Sequence, residues 1–176
     1  MNALVGVKVA RLLNISDEIS LKALSKFKGT WRRFDEHILK NDNILIDDYA
    51  HHPTEIRNCL SSIKAKYPDK KITVVFQPHL FSRTQNFADD FAKALSAADR
   101  IILLNIYPAR EEPIKGIDSQ FLLDKIQSSD KKLVNDAQLA DQFKDNSHQV
   151  IVMMGAGNID RLVPLVKKQL ETNSTL

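Results

Sequence analysis

Apolar positions along the chain fall into two regimes. In residues 2–14 (NALVGVKVARLLN) they recur at helical spacing, and residues 17–27 (DEISLKALSKF) repeat the pattern. Ser16 or Asp17 offers a helix cap, and Gly29 stands just past the end. Residues 30–39 alternate loosely and predict a strand. After Asn41-Asp42-Asn43 the apolar residues gather in short continuous runs at 44–46, 72–76, 101–104 and 150–154, with a weaker run at 132–134. Helical patterns lie between and after them, near 53–66, 84–97, 118–128, 136–143 and 158–171. Such strands alternating with helices predict a parallel sheet covered on both faces. The expected fold is α/β: a Rossmann-like, doubly wound, mostly parallel sheet from about residue 40 onward. The two helices and one strand before it are too little to bury a core alone.

Composition narrows the function classes. A chain of 176 residues with 43% apolar and 27% charged residues, both signs intermixed, can fold around a core and is not a disordered chain. A net charge of +3 without a Lys/Arg run argues against nucleic acid as partner. The single cysteine, Cys59, excludes an internal disulfide framework and sits among apolar neighbours as a buried thiol. No apolar run approaches the roughly 18 residues that span a bilayer, and the N-terminus lacks a signal-peptide pattern. The expectation is a cytoplasmic protein with no membrane partner.

Ligands of doubly wound sheets bind at the carboxyl ends of the strands, and the chemistry-bearing residues gather there. The first run leads into Asp47-Asp48-Tyr49-Ala50-His51-His52-Pro53, with Pro53 placed as a first helical residue. The second leads into Gln77-Pro78-His79-Leu80-Phe81-Ser82-Arg83, and the third into Asn105-Ile106-Tyr107-Pro108-Ala109-Arg110. The last leads into Gly155-Ala156-Gly157-Asn158. Asp47 and Asp48 alternate across a strand, so one faces a site and the other serves a structural hydrogen bond. Adjacent histidines rarely aim at one ion, so capping or substrate contact suits His51 and His52 better than metal binding, and no metal site is expected. His79 and Arg83 are four apart at a helix start, where cationic groups and free N–H donors suit a carboxylate or phosphate. The Gly155–Gly157 pair fits a tight strand-to-helix turn. No G-x-x-x-x-G-K-[ST] loop and no G-x-S-x-G elbow is present. A receiver-type signalling domain would need an Asp ending the third run and a Lys ending the last, where Asn105 and Gly155 stand. The residues alone describe an anion-binding α/β domain, and a stand-alone anion- or nucleotide-binding module without catalysis is one reading of it.

The run DDYAHHPTE (47–55) resembles the opening of the C-terminal domain of UDP-N-acetylmuramate–L-alanine ligases, a branch of the Mur ligase family. FQPHLFSRT (76–84), YPAREEPI (107–114) and GAGNI (155–159) resemble the same family, in order and at fitting spacing. NALVGVKVA and GTWRRFD (29–35) resemble the end of its central ATP-binding domain, so the resemblance covers essentially the whole chain. It implies two domains: 1–39, a remnant of the central domain, and 40–176, the Rossmann-like C-terminal domain. It also implies ATP-dependent joining of L-alanine to UDP-N-acetylmuramate through an acyl phosphate, with ATP and Mg2+ as cofactors. The phosphate loop, the metal ligands and the sugar-nucleotide domain would precede Asn2, and the isolated chain is expected to be inactive.

Site residues follow by resemblance. Asn2 is similar to an asparagine at the adenine side of the ATP site, and Arg33 to an arginine that contacts ATP phosphates. Asp48 resembles an aspartate near the domain hinge, Tyr49 a residue bracketing adenine, and His52 a member of the same nucleotide-facing loop. His79 and Arg83 resemble residues that hold the carboxylate-bearing substrate and the amino acid. Tyr107 and Arg110 are expected to frame the alanine pocket. Where some relatives have arginine, position 80 is leucine, so one charge contact to the substrate is expected either to be absent or to be supplied by Arg110.

Overall fold

The computed structural model describes residues 2–27, 29–144 and 149–172. It divides into two compact units, Met1–Thr30 and Trp31–Leu176. The first holds α1 (Asn2–Leu12) and α2 (Asp17–Lys26). Ser16 is the cap of α2, its hydroxyl accepting from the Ile19 amide at 3.4 Å, and Arg11 pairs with Asp17 at 2.6 Å.

The second unit is built on six strands: β1 (Asp35–Ile38), β2 (Ile44–Asp48), β3 (Lys71–Phe76), β4 (Arg100–Leu103), β5 (Lys131–Leu133) and β6 (Gln149–Met154). Their order is β1-β2-β6-β3-β4-β5, with β1 antiparallel to β2 and every other pair parallel. The unit therefore begins before residue 40. The ladder between Asp35–Ile38 and Ile44–Asp47 ties the preceding strand to the sheet, and the division falls after Thr30, not after residue 39.

Alternation along the strands builds two cores. Ile44, Ile46, Val74, Phe76, Ile101, Leu103, Val150 and Val152 face α3 (Pro53–Lys66), α5 (Ala88–Leu95) and α6 (Ser119–Lys125). Leu45, Val75, Ile102, Leu104, Ile151 and Met153 face α7 (Asp136–Leu139) and α8 (Val163–Thr172). The strands read as unbroken apolar runs because both faces are covered. The helical pattern near 84–97 is broken in two: α4 (Phe81–Asn86) ends where Phe87 leaves helical geometry at φ −118°. A 3-10 turn (Ile159–Leu162) precedes α8. Among the described residues no helix is long and apolar enough to cross a membrane.

One polar pair is buried within this packing: the Thr73 hydroxyl donates to Gln149 Oε1 at 2.7 Å, with 2% and 6% of the two residues exposed. Thr73→Val removes the donor and strands the acceptor. It should cost about 1–3 kcal/mol, seen as a lower urea midpoint with an unchanged m-value.

Candidate functional site

The parallel strands end in register. Asp48 pairs with Met154, Met154 with Phe76, Phe76 with Leu103 and Leu103 with Leu133, so the loops that follow leave the sheet along one edge. Each loop then touches its neighbours through a residue the sequence singles out.

After β2, Asp48 is consumed by the backbone. Its carboxylate accepts from the amides of Phe34 and Ala50, both at 2.8 Å. Asp47 points to the other face and meets Arg32, so both aspartates have partners within the fold. Tyr49 is half-buried, with the guanidinium carbons of Arg32 and the exposed Arg33 at 5.0 and 5.4 Å from its ring centroid. His52 caps α3: its Nδ1 accepts from the Thr54 amide at 3.3 Å, while Glu55 accepts from the His51 and His52 amides at 3.0 and 3.1 Å. This is a capping box with histidine in the cap position. Burial pushes the Glu55 carboxyl up, but those amides, the His51 ring and Arg33 outweigh it and hold the group below its ordinary value. His51 Nδ1 stands 2.9 Å from the Tyr49 carbonyl, which can only accept, and 3.4 Å from Glu55 Oε2.

After β3, Arg83 lies in the first turn of α4 while His79 precedes the Leu80 cap and bridges to Tyr107, so the two are not on one helical turn. Both are half-buried and close enough for Arg83 to act electrostatically on the His79 ring. Nδ1 of His79 and Nη1 of Arg83 are shielded from solvent without a hydrogen-bond partner. Two buried, unanswered nitrogens in one place cost free energy that a ligand's oxygens would offset. Burial, Arg83 and His51 hold the His79 imidazole below its ordinary value of 6.5, against the opposing pull of Glu111. The helix start is not open, however. Glu111 accepts from the Ser82 amide at 3.0 Å and from its hydroxyl, so the free N–H donors expected for a ligand are taken by the protein's own carboxylate. Leu80, at φ +72°, occupies a left-handed conformation costly for a branched residue, and from it donates its amide to the Tyr107 carbonyl at 3.0 Å.

After β4, the Tyr107 ring stacks on His79 with centroids 5.7 Å apart and planes 20° from parallel. Arg110 is exposed, and among the described residues no hydrogen bond or ion pair joins it to His79 or Arg83. After β6, the glycines are demanded by close approach: a Cβ on Gly155 would lie 2.9 Å from the Gln77 carbonyl, and one on Gly157 would fall 2.7 Å from Tyr107 Cβ. Gln77 locks this turn, donating to Asn158 Oδ1 at 2.8 Å and accepting from the Ile159 amide at 3.1 Å. Between these loops lies a cavity of about 430 Å³ lined by Gln77, Asn105, Tyr107, Asn135, Asp136 and Asn158.

Arg32, Gln77, Ser82 and Glu111 escape sequence reasoning. Arg32 carries a signal in the Arg32-Arg33 pair, but nothing local says which of the two turns inward. The side chain of Asn2 lies outside the described residues. Among the described residues no cluster of three His, Cys, Asp or Glu side chains could hold a metal ion.

The fold and this edge of strand-end loops define a Mur ligase domain. Residues 32–159 match the family described as Mur ligase, glutamate ligase domain, and the chain belongs to the Mur ligase family. The similarity narrows to one branch. A UDP-N-acetylmuramate–L-alanine ligase of Flavobacterium psychrophilum is 50% identical over 170 residues, 97% of this chain and 38% of that protein. One from Christiangramia forsetii is 49% identical over the same lengths. The crystal structure of UDP-N-acetylmuramate–alanine ligase from Thermotoga maritima superposes with a TM-score of 0.81 at 27% identity, covering 98% of this chain and 37% of that one. The chain thus spans about 38% of the length of the curated relatives it matches.

Two titrations check the electrostatics. Arg83→Gln removes the second cause of the depressed His79 imidazole and should raise its midpoint toward 6.5, read from the ring proton shifts by NMR. Burial pushes Asp47 up to about 6 against the attraction of Arg32, with Asp160 and Asp35 adding repulsion. A raised carboxyl holds its proton more tightly in the native state, so its stabilising contribution is full below the ordinary 3.8 and lost as pH rises through 6. Urea unfolding of Asp47→Asn between pH 4 and 7 should lack this decline, whose slope is at most about 1.4 kcal/mol per pH unit.

Proposed function

We propose that this chain is the amino-acid-accepting part of an ATP-dependent ligase that joins L-alanine to UDP-N-acetylmuramate in the cytoplasm, in peptidoglycan synthesis. The observation that carries the reading is the buried pair of unanswered nitrogens, Nδ1 of His79 and Nη1 of Arg83. A carboxylate is a poor electrophile, and ATP with Mg2+ supplies the phosphoryl group that makes it an acyl phosphate open to attack by an amine. In this reading the metal ligands belong to the part of the curated relatives that this chain does not cover.

This chain's own residues bind and orient. Arg83, permanently charged and half-buried, offsets the substrate's carboxylate and the charge developing as the amine attacks. His79, kept neutral near pH 7, offers a hydrogen bond without adding a second fixed charge. The stacked Tyr107 ring walls the cavity in which a small amino acid fits, and the exposed Arg110 follows it on the same loop. On the other flank, the Tyr49 ring offers a face for a nucleobase and the exposed Arg33 a cation for phosphate. These groups fit a nucleotide. His52 shapes the same loop by capping α3, and Asp48 holds the entering segment against it. Asn2 would meet the adenine side. Residues 1–30 fit the end of the central ATP-binding domain, and 31–176 the C-terminal domain.

The test is a chimera. The chain replaces the matching 38% of the Flavobacterium psychrophilum relative, and phosphate release is followed with ATP, UDP-N-acetylmuramate and L-alanine. Release dependent on all three is expected, falling about 10²-fold in Arg83→Met. The chain by itself should release none. A folded chimera without alanine-dependent release would sink the reading.

A further inference from the structure

Arg32 has no part in the chemistry assigned above, yet its guanidinium donates to two carbonyls and faces two carboxylates. It is 5% exposed. Nη2 donates to the Gly155 carbonyl at 2.5 Å, and Nη1 lies 3.4 Å from both the Gly157 carbonyl and Asp160 Oδ1. Nε faces Asp47 Oδ1 at 3.6 Å. Its carbonyl accepts from the Tyr49 amide at 2.8 Å, and its guanidinium lies 5.0 Å from the Tyr49 ring centroid and 5.7 Å from that of Trp31. Burying a guanidinium and a carboxylate together gains little stability against well-packed apolar side chains, because desolvation opposes the attraction. What this cluster does is define position. A planar fork with several donors reaches acceptors both along the 155–160 turn and on β2, which a lysine ammonium cannot do from one point.

We propose that Arg32 is the positioning residue of the nucleotide-facing flank. It bolts the entering segment to the turn after β6, and through that anchor sets Tyr49 and turns the neighbouring Arg33 outward over the same ring. The inference rests on the nucleotide reading for its purpose, but its geometry is tested without nucleotide.

The experiment uses the 176-residue chain and two variants. Arg32→Lys keeps the charge and loses the fork. Arg32→Met with Asp47→Asn avoids a buried carboxylate facing an apolar chain, and keeps the question open if the first variant unfolds. The first readout is the NMR shift of the Arg33 side-chain protons, expected upfield in the wild-type chain because the guanidinium carbon lies 5.4 Å from the Tyr49 ring centroid, with hydrogen exchange of the Tyr49 amide. Both variants should return the Arg33 protons to ordinary shifts and speed Tyr49 exchange about tenfold or more, while the Leu45 and Val75 amides of the core strands keep their protection. A merely structural role would speed all three amides together and leave the Arg33 shift in place. The second readout is ADP binding, followed by fluorescence of Trp31, the chain's single tryptophan, 71% exposed. Arg32→Lys should weaken it about tenfold. An ordinary Arg33 shift in the wild-type chain, an unchanged shift in the variants, or equal ADP affinity overturns the proposal. If the shift responds but the wild-type chain does not bind ADP, positioning by Arg32 stands and the nucleotide reading of this flank falls.

Discussion

The register of the parallel strands is the constraint on which the rest of this protein depends. Asp48, Met154, Phe76, Leu103 and Leu133 lie in one row across the sheet, so five loops and the β1 approach meet at a common edge. A slip of one residue in any strand would turn its apolar side chains to the wrong core and move its loop off that edge. Two cores, one on each face, hold the register: Ile44 and Ile46 belong to one and Leu45 to the other, and β3, β4 and β6 alternate likewise. The site inherits its precision from packing that takes no part in its chemistry.

On this edge Asp48, Glu55 and Glu111 are answered by backbone amides, whereas His79 and Arg83 each keep a buried nitrogen without a partner. Asp48 is bonded to two amides, Glu55 to two, and Glu111 to the start of α4. Asp47 faces Arg32. Nδ1 of His79 and Nη1 of Arg83 are buried without partners, while Arg33 is exposed. The net result is an edge tuned to receive negative charge, although the chain as a whole carries only +3. Local arrangement, not overall charge, sets this character. The loops are also linked in a circuit: His51 to His79 at 6.3 Å, His79 to Tyr107, Tyr107 against Gly157, and Gly157 to Arg32, which holds Tyr49. A ligand touching one loop therefore meets a surface whose parts are held against each other.

The circuit brings the two ends of the unit's chain together, since Arg32 lies 123 residues from Gly155. The strained Leu80 stands at another join, between the loops after β3 and β4. Strain of this kind persists where surrounding bonds over-determine it, and here the Tyr107 carbonyl and the Thr84 amide and hydroxyl hold the residue.

Much of this was legible along the chain. The apolar runs located the strands because a strand buried on both faces leaves an unbroken apolar signature, and Pro53 and Ser16 marked helix starts because capping is local chemistry. His79 and Arg83 stood out as a pair from four-residue spacing, yet the helical turn that spacing suggests does not form, because Leu80 caps α4 from a left-handed conformation and leaves His79 outside the helix. The short alternation at 30–39 was harder to place: β1 is only Asp35–Ile38, and its pairing with β2, not its own pattern, assigns it to the second unit. What only the tertiary structure decided are the long-range choices. The sequence shows two adjacent arginines; the positions of Asp47, Asp160 and the Gly155 carbonyl decide that Arg32 turns inward and Arg33 outward. It shows an acid at 111, but the fold of the Tyr107 loop decides that this acid closes the start of α4. Periodicity and capping act within a few residues and can be read from them, whereas burial of a charge depends on partners that only the folded chain brings near.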